Sequence, residues 1–270
     1  MAKFEFRVRE ENKTRSTNDI STALTNWRGG NERWLFVAPH DDDIILGAGL
    51  LLQTAVEKKI PVRMLITTDG SMGYCTEEQR ATISKVRTDE TDEMFGNLGI
   101  SDVRWLNFPD CDLARWTGRR VAQPGDRGVK AGFTGLQNAY TAELRDFCPT
   151  RLFVPSGNDY HPDHKTVYQE LMISVFHSSG QVWPELGAPV SCTPLVYEMA
   201  IYCDFPEPPN LMIKGDDDAL QVKLDAIATY RSQLQIEQLV QNVRNAGPLE
   251  LFREVSFALY HPQLYTKDFE

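Results

Sequence analysis

The chain has 270 residues, 41% of them hydrophobic and 24% charged, and a net charge of −10. These proportions are those of a globular protein and exclude a disordered or fibrous chain. The acidic balance argues against nucleic acid and anionic membrane as general partners. The longest apolar run, about 44–52, contains Gly47 and Gly49 and falls far short of the ~20 residues that span a bilayer. Residues 1–19 lack the apolar segment of a signal peptide, so a cytoplasmic protein is expected. The five cysteines, Cys75, Cys111, Cys148, Cys192 and Cys203, are scattered and form no CxxC pair. Neither a thiolate zinc site nor a disulfide framework is indicated.

In chain order, residues 1–30 read as a polar N-terminal extension with one helix near 20–27. The apolar run 34–38 predicts a strand and 43–58 a helix. Residues 61–68 are strand-like. Thr76-x-x-Gln79 has the form of a capping box and predicts a helix from there to Leu98-Gly99. Residues 103–108 predict a strand, 134–147 a helix, 151–155 a strand and 162–177 a helix with Val167, Leu171, Met172, Val175 and Phe176 on one face. A fifth strand is expected over 195–201 and a capped helix over 216–231, with Leu220, Leu224 and Ile227 on one side. Strand and helix alternating at this spacing predict an α/β fold, a Rossmann-like three-layer sandwich around a mostly parallel sheet. No linker is visible, so 31–270 reads as a single domain with an insertion at 111–135. That insertion carries five basic residues (Arg115, Arg119, Arg120, Arg127, Lys130) against two acidic ones (Asp112, Asp126). Following the third strand, it is expected to border the active-site mouth, with Arg119, Arg120 and Arg127 attracting an anionic part of a substrate.

Two segments carry the chemistry. Pro39-His40-Asp41-Asp42-Asp43 follows the first strand, and Asp159-Tyr160-His161-Pro162-Asp163-His164 follows the fourth. In a doubly wound sheet of order 3-2-1-4-5 those strands are neighbours at the switch point, where ligands bind. Acids in a first helical turn can be simple caps. Three adjacent acids beside a histidine, facing an HxxH, exceed that need. His40, Asp43 and His164 supply the two imidazoles and one carboxylate of an open Zn²⁺ site. The metal acidifies its bound water. Asp42 is then placed as general base, His161 as the group assisting the oxyanion or the leaving amine, and Asp163 as the partner orienting an imidazole. This set points to hydrolysis of an amide-like bond. His177 and His261 have no such company and read as packed or surface residues.

These residues resemble the LmbE-like, or PIG-L-like, family of zinc-dependent de-N-acetylases, which includes the deacetylases of N-acetylglucosaminyl-phosphatidylinositol, mycothiol and bacillithiol synthesis. The family's (A/P)HPDDE motif stands here as Ala38-Pro39-His40-Asp41-Asp42-Asp43-Ile44, followed by Leu46-Gly47-Ala48-Gly49. Its HPDH motif is intact as His161–His164. Thr68-Asp69-Gly70 with Gly73, Arg87-x-x-Glu90, Phe108-Pro109-Asp110, and Lys223 with Tyr230-x-Ser232-Gln233 match intermediate features. The resemblance implies zinc ligands at His40, Asp43 and His164, a base at Asp42, an assisting histidine at His161, and substrate contacts at Arg87 and Asp110. It implies an N-acetylated amino sugar or glycoconjugate as substrate. Asp41 stands where the family has Pro, and Ile44 where it has Glu; Asp41 is expected either to add charge near the metal or to face solvent. Tyr160, beside His161, is the nearest tyrosine for an oxyanion role.

Fe²⁺ or Co²⁺ would suit the same ligands as Zn²⁺. Two other functions are weighed: a Mg²⁺-dependent phosphotransfer protein, disfavoured because histidine is a poor Mg²⁺ ligand, and a non-catalytic sugar-binding relative, disfavoured because Asp42 is present. The oligomeric state is left open, a homo-oligomer included.

Overall fold

The computed structural model describes residues 3–10, 13–257 and 260–269. Glu5–Glu10 (β1) and Lys13–Thr17 (β2) pair antiparallel, and Ile20–Ala23 (α1) follows. The chain then alternates through Trp34–Ala38 (β3), Asp43–Glu57 (α2), Val62–Thr68 (β4), Ile83–Asn97 (α3) and Val103–Phe108 (β5). Arg120–Val121 (β6) and Phe133–Thr134 (β7) form a small hairpin within the insertion. Leu136–Phe147 (α4), Arg151–Pro155 (β8), Pro162–Ser179 (α5) and Leu195–Met199 (β9) complete the alternation. Leu211–Lys214 (β10), Asp217–Ile227 (α6), Ile236–Ala246 (α7) and Leu249–Val255 (β11) close the described fold.

The main sheet has nine strands in the order β2-β1-β10-β11-β9-β8-β3-β4-β5. From β9 to β5 the strands are parallel, as the 3-2-1-4-5 reading requires. The other four are antiparallel and extend the sheet beyond β9. β1 and β2, in the stretch expected as a polar extension, therefore lie in the sheet itself.

The alternation of side chains along β3 sorts the core into two layers. Trp34, Phe36 and Ala38 join one cluster, with residues of α2, α3 and α6; Leu35 and Val37 join the other, with residues of α4 and α5. Both faces of β3 and β8 are covered, and every residue of these strands is buried. That is why they read as unbroken runs rather than alternations. On α5, Val167, Leu171 and Val175 are buried as expected, but Phe176 is exposed. The capping box at Thr76 does not open a helix. Thr76 N–H donates to Gln79 Oε1 at 3.0 Å in a turn, and α3 begins at Ile83.

Helix α2 carries an internal break at Ala48 (φ −141°, ψ 21°) between Gly47 and Gly49. Its freed backbone groups are satisfied from elsewhere. The Glu250 carboxylate on β11 accepts from Leu50 N–H at 2.8 Å and Leu51 N–H at 3.1 Å, as an N-cap would. Lys223 on α6 donates to Leu46 O at 2.7 Å and pairs with Glu250 at 2.7 Å. A Cβ at Gly49 would meet Lys223 Cγ at 2.9 Å, so glycine permits the approach. This clamp holds the first turn of α2, which carries Asp43, in its own orientation.

Candidate metal centre

β3 and β8 lie side by side and end together. The chain leaves them toward opposite faces, into α2 and α5, so the crevice opens at the switch point. Pro39 is pinned by Thr68, whose N–H and hydroxyl donate to Pro39 O at 3.0 and 2.9 Å. The acids that follow are not ordinary caps: Asp42, at the N-cap position of α2, makes no capping bond with its side chain. Asp43 accepts instead from His40 N–H, at 3.0 Å.

Asp43 Oδ2 stands 3.2 Å from His40 Nδ1 and 3.3 Å from His164 Nε2. Asp43 Oδ1 and His164 Nε2 are buried and have no hydrogen-bond partner among the described residues. Unpartnered buried polar atoms are costly unless something else satisfies them. The remaining nitrogen of His164, Nδ1, faces Asp159 Oδ2 at 3.1 Å, which fixes the tautomer and leaves Nε2 free as a donor to a cation. Two imidazoles and a carboxylate suit Zn²⁺, Fe²⁺ or Co²⁺, so the residues fit the metal expected from the sequence. The nitrogens of His40, His161 and His164 also come within 4.8 Å of one another.

The field in the crevice is negative. Burial alone would lower the His164 pKa, but Asp43 and Asp159 overcome it and push the value up to about 9. Burial pushes Asp42 up to about 6, with Asp41 and Asp43 adding to the rise and Arg87 opposing it. Asp42 Oδ2 accepts from Gln233 Nε2 and lies 3.7 Å from Arg87 Nη2. Gln233 is held in turn: the adjoining Ser232 N–H and hydroxyl donate to Glu90 at 2.9 and 2.7 Å. His161 Nδ1 accepts from Asp163 N–H at 3.3 Å, which places its proton on Nε2. Its pKa is lowered, by burial first and then by His40 and His164, so the ring is a neutral donor. Its ring lies 4.8 Å from that of His40 and 4.9 Å from that of His164.

The structure thus brings together His40, Asp42, Asp43, His161, Asp163 and His164, with Asp110 at 3.2 Å from His40 Nε2. Other expectations are corrected. Asp41 neither faces solvent nor joins the metal set; it is fully buried and pairs with Arg87. Arg87 is therefore tied up and nearly buried, rather than open to a substrate. Tyr160 is 75% exposed with Lys165 over its ring, whereas the ring of Tyr202 lies 5.2 Å from that of His164. The insertion starts at the crevice and then leaves it. Cys111 N–H donates to Asp163 Oδ2 at 2.9 Å, but Gly118 N–H already reaches Glu170, two turns along α5. Arg119 bonds Asn138 and Glu185 and stacks on Phe133, and Arg120 pairs with Asp126. Arg127 is exposed and makes no ion pair among the described residues. The segment is a strap over α4 and α5 whose charges are largely neutralised within the fold. Asp159, Gln233 and Tyr202 were not read as site residues. Asp159 opens the second chemical segment and Gln233 stands in a matched motif, whereas nothing in the sequence points to Tyr202 as a neighbour of His164.

Residues 35–175 match the profile of the family described as PIG-L: GlcNAc-PI de-N-acetylase. The chain belongs to this family. It is similar to a 1D-myo-inositol 2-acetamido-2-deoxy-alpha-D-glucopyranoside deacetylase of Kineococcus radiotolerans, 28% identical over an alignment of 165 positions that covers 55% of this chain and 46% of the relative. The match thus spans about half the length of that curated relative. Among solved structures, the N,N'-diacetylchitobiose deacetylase of Pyrococcus horikoshii superposes with a TM-score of 0.64 at 22% identity, over 87% of this chain and 85% of that one. The 4-carboxy-2-hydroxymuconate hydratase of Pseudomonas putida superposes with 0.63 at 17% identity, over 85% and 98%. At such identities the likeness is one of fold, and the two activities differ, so for this PIG-L chain function has to be argued from the site. Among the described residues, no helix is long and apolar enough to cross a membrane.

Proposed function

We propose that the protein is a divalent-metal-dependent hydrolase that removes an N-acetyl group from an amino sugar or glycoconjugate, with zinc as its metal. One observation carries the reading. Two buried, unpartnered ligand atoms, His164 Nε2 and Asp43 Oδ1, converge on the crevice that also holds His40 and the carboxylate of Asp42. Family membership supports it, as does the acetamido sugar named for the curated relative.

His40, Asp43 and His164 would hold the cation, which supplies a Lewis acid for acidifying water and polarising an amide carbonyl. Asp42 takes the proton of the attacking water. Its Oδ2 is already held by Gln233, which orients the carboxylate. Burial keeps Asp42 basic enough to accept a proton near neutral pH. His161 holds a proton at Nε2 and donates it as a hydrogen bond to the developing oxyanion, while the proton that Asp42 has taken passes to the leaving nitrogen. Asp163 fixes that tautomer through its backbone N–H.

The test is acetate release from a panel of N-acetyl sugars by protein stripped with a chelator and then reloaded with zinc. Activity that appears only on reloading supports the reading. Equal activity in the stripped protein, or none across the panel, would overturn it.

A further inference from the structure

We propose that the chain holds a second divalent-cation site directly behind the first, formed by His40 Nε2, Asp110 Oδ1 and Asp163 Oδ2, with the imidazole of His40 shared between the two. His40 Nε2 lies 3.2 Å from Asp110 Oδ1 and 3.6 Å from Asp163 Oδ2. All three donor atoms come within 4.8 Å of one another. Donors placed about 2.1 Å from a tetrahedral ion stand about 3.4 Å apart, midway between the two observed separations.

The second observation is Asp110 itself. Its side chain is 4% exposed, and Oδ1 has no hydrogen-bond partner among the described residues; the contact with His40 is not aligned as a hydrogen bond. Its aim is fixed, because Oδ2 accepts from Met72 N–H at 3.0 Å. Asp163 Oδ2 is likewise held, by Cys111 N–H at 2.9 Å. The two carboxylates come from different elements, the loop after β5 and the first turn of α5, and both face His40 Nε2. Carboxylates with one imidazole suit Zn²⁺, Mn²⁺ or Co²⁺.

Binding there replaces the proton on His40 Nε2, which leaves to solvent, and His40 becomes a bridging imidazolate. Because that ring then donates to two cations, the second ion binds more weakly than the first, and it fills when metal is in excess. The assignment rests on reading His40, Asp43 and His164 as the first site.

The probe is zinc alone, added to the chelator-stripped full chain and read as bound metal per chain by equilibrium dialysis. The wild type should take up a tight equivalent and then a weaker one. Asp110→Asn should lose the weaker equivalent and keep the tight one. Asp43→Asn should do the reverse. Should Asp110→Asn fold poorly, a cobalt(II) titration of the wild type gives the answer without a variant. A further change in the visible bands beyond the first equivalent supports the site, and saturation at one overturns it. Two equivalents retained by Asp110→Asn, or both lost, also overturn it. A tight equivalent surviving in Asp43→Asn counts against the first-site reading instead.

Discussion

Asp41 and Arg87 form a buried, two-pronged ion pair: Arg87 Nε lies 2.9 Å from Asp41 Oδ1 and 3.0 Å from Oδ2, and Nη2 lies 2.5 Å from Oδ1. Thr91 donates to the same carboxylate, and Tyr230 donates to the backbone oxygen of Asp41 at 2.8 Å. The pair ties the loop after β3 to α3, and it holds the guanidinium within reach of Asp42.

Removing one partner leaves an uncompensated buried charge, which costs about 3–5 kcal/mol. Asp41→Asn should therefore lose about 3 kcal/mol of stability in urea unfolding, at the low end because Asp42 still neighbours Arg87. The double variant Asp41→Asn/Arg87→Gln should be less unstable than the sum of the two singles. A change below about 0.5 kcal/mol for Asp41→Asn, the range of ordinary surface substitutions, would show that the pair contributes nothing.

The parallel half of the sheet was legible because β3 and β8 are buried on both faces and read as continuous apolar runs. The antiparallel half was not. β2, KTRST, carries no apolar residue, β10 has only four residues, and β11 turns Glu250 toward the interior. Their pairing is fixed by partners far along the chain, which local pattern does not report. The site shows the same division. His40, Asp42, Asp43, His161 and His164 stand in two short motifs and could be read directly. The role of Asp41 depends on an arginine 46 positions away, and that of Gln233 on an aspartate 191 positions away. Those distances are set by the fold. The insertion's charge misleads for a related reason: a count of basic residues does not show that Asp126 and Glu185 already neutralise Arg120 and Arg119.

Asp42 and Asp43 are adjacent but placed for different work, and one pair of variants separates them. Asp42→Asn should keep its zinc while kcat falls about 10²–10⁴-fold, the usual contribution of a general base. Asp43→Asn should lose the tightly bound zinc. Metal analysis beside steady-state kinetics checks both, and zinc loss in Asp42→Asn would mean that the roles are exchanged.

Gln233 touches Asp42 and neither histidine of the expected ligand set. Gln233→Leu should lower kcat about 10–100-fold, the usual cost of losing a partner that orients a catalytic group, with KM and zinc content nearly unchanged. Gln233→Glu should not rescue activity, because a second carboxylate would repel Asp42. A rise in KM with kcat intact would instead place Gln233 against the substrate.

At the opposite end of the sheet, Glu32 offers a test of stability against pH that is independent of the metal. Its carboxylate lies 3.1 Å from both Nε and Nη2 of Arg151, and accepts from Trp34 Nε1, Thr150 Oγ1 and Arg28 N–H, each at 2.8 Å. Burial by itself would raise its pKa. The Arg28 N–H, the Thr150 hydroxyl, the charge of Arg151 and the Trp34 indole outweigh burial and bring it below 4.5. A carboxylate with a depressed pKa binds fewer protons folded than unfolded, so its contribution is complete above the unfolded value and fades as pH falls through the folded one. Glu32→Gln should therefore cost about 3 kcal/mol at pH 7, where Arg151 loses its buried counter-charge. The gap between wild type and variant should narrow once the pH drops below about 4. Urea midpoints at neutral pH and in the acid range measure this directly. A gap of the same size at both would mean that Glu32 acts through its shape and hydrogen bonds alone, and not through its charge.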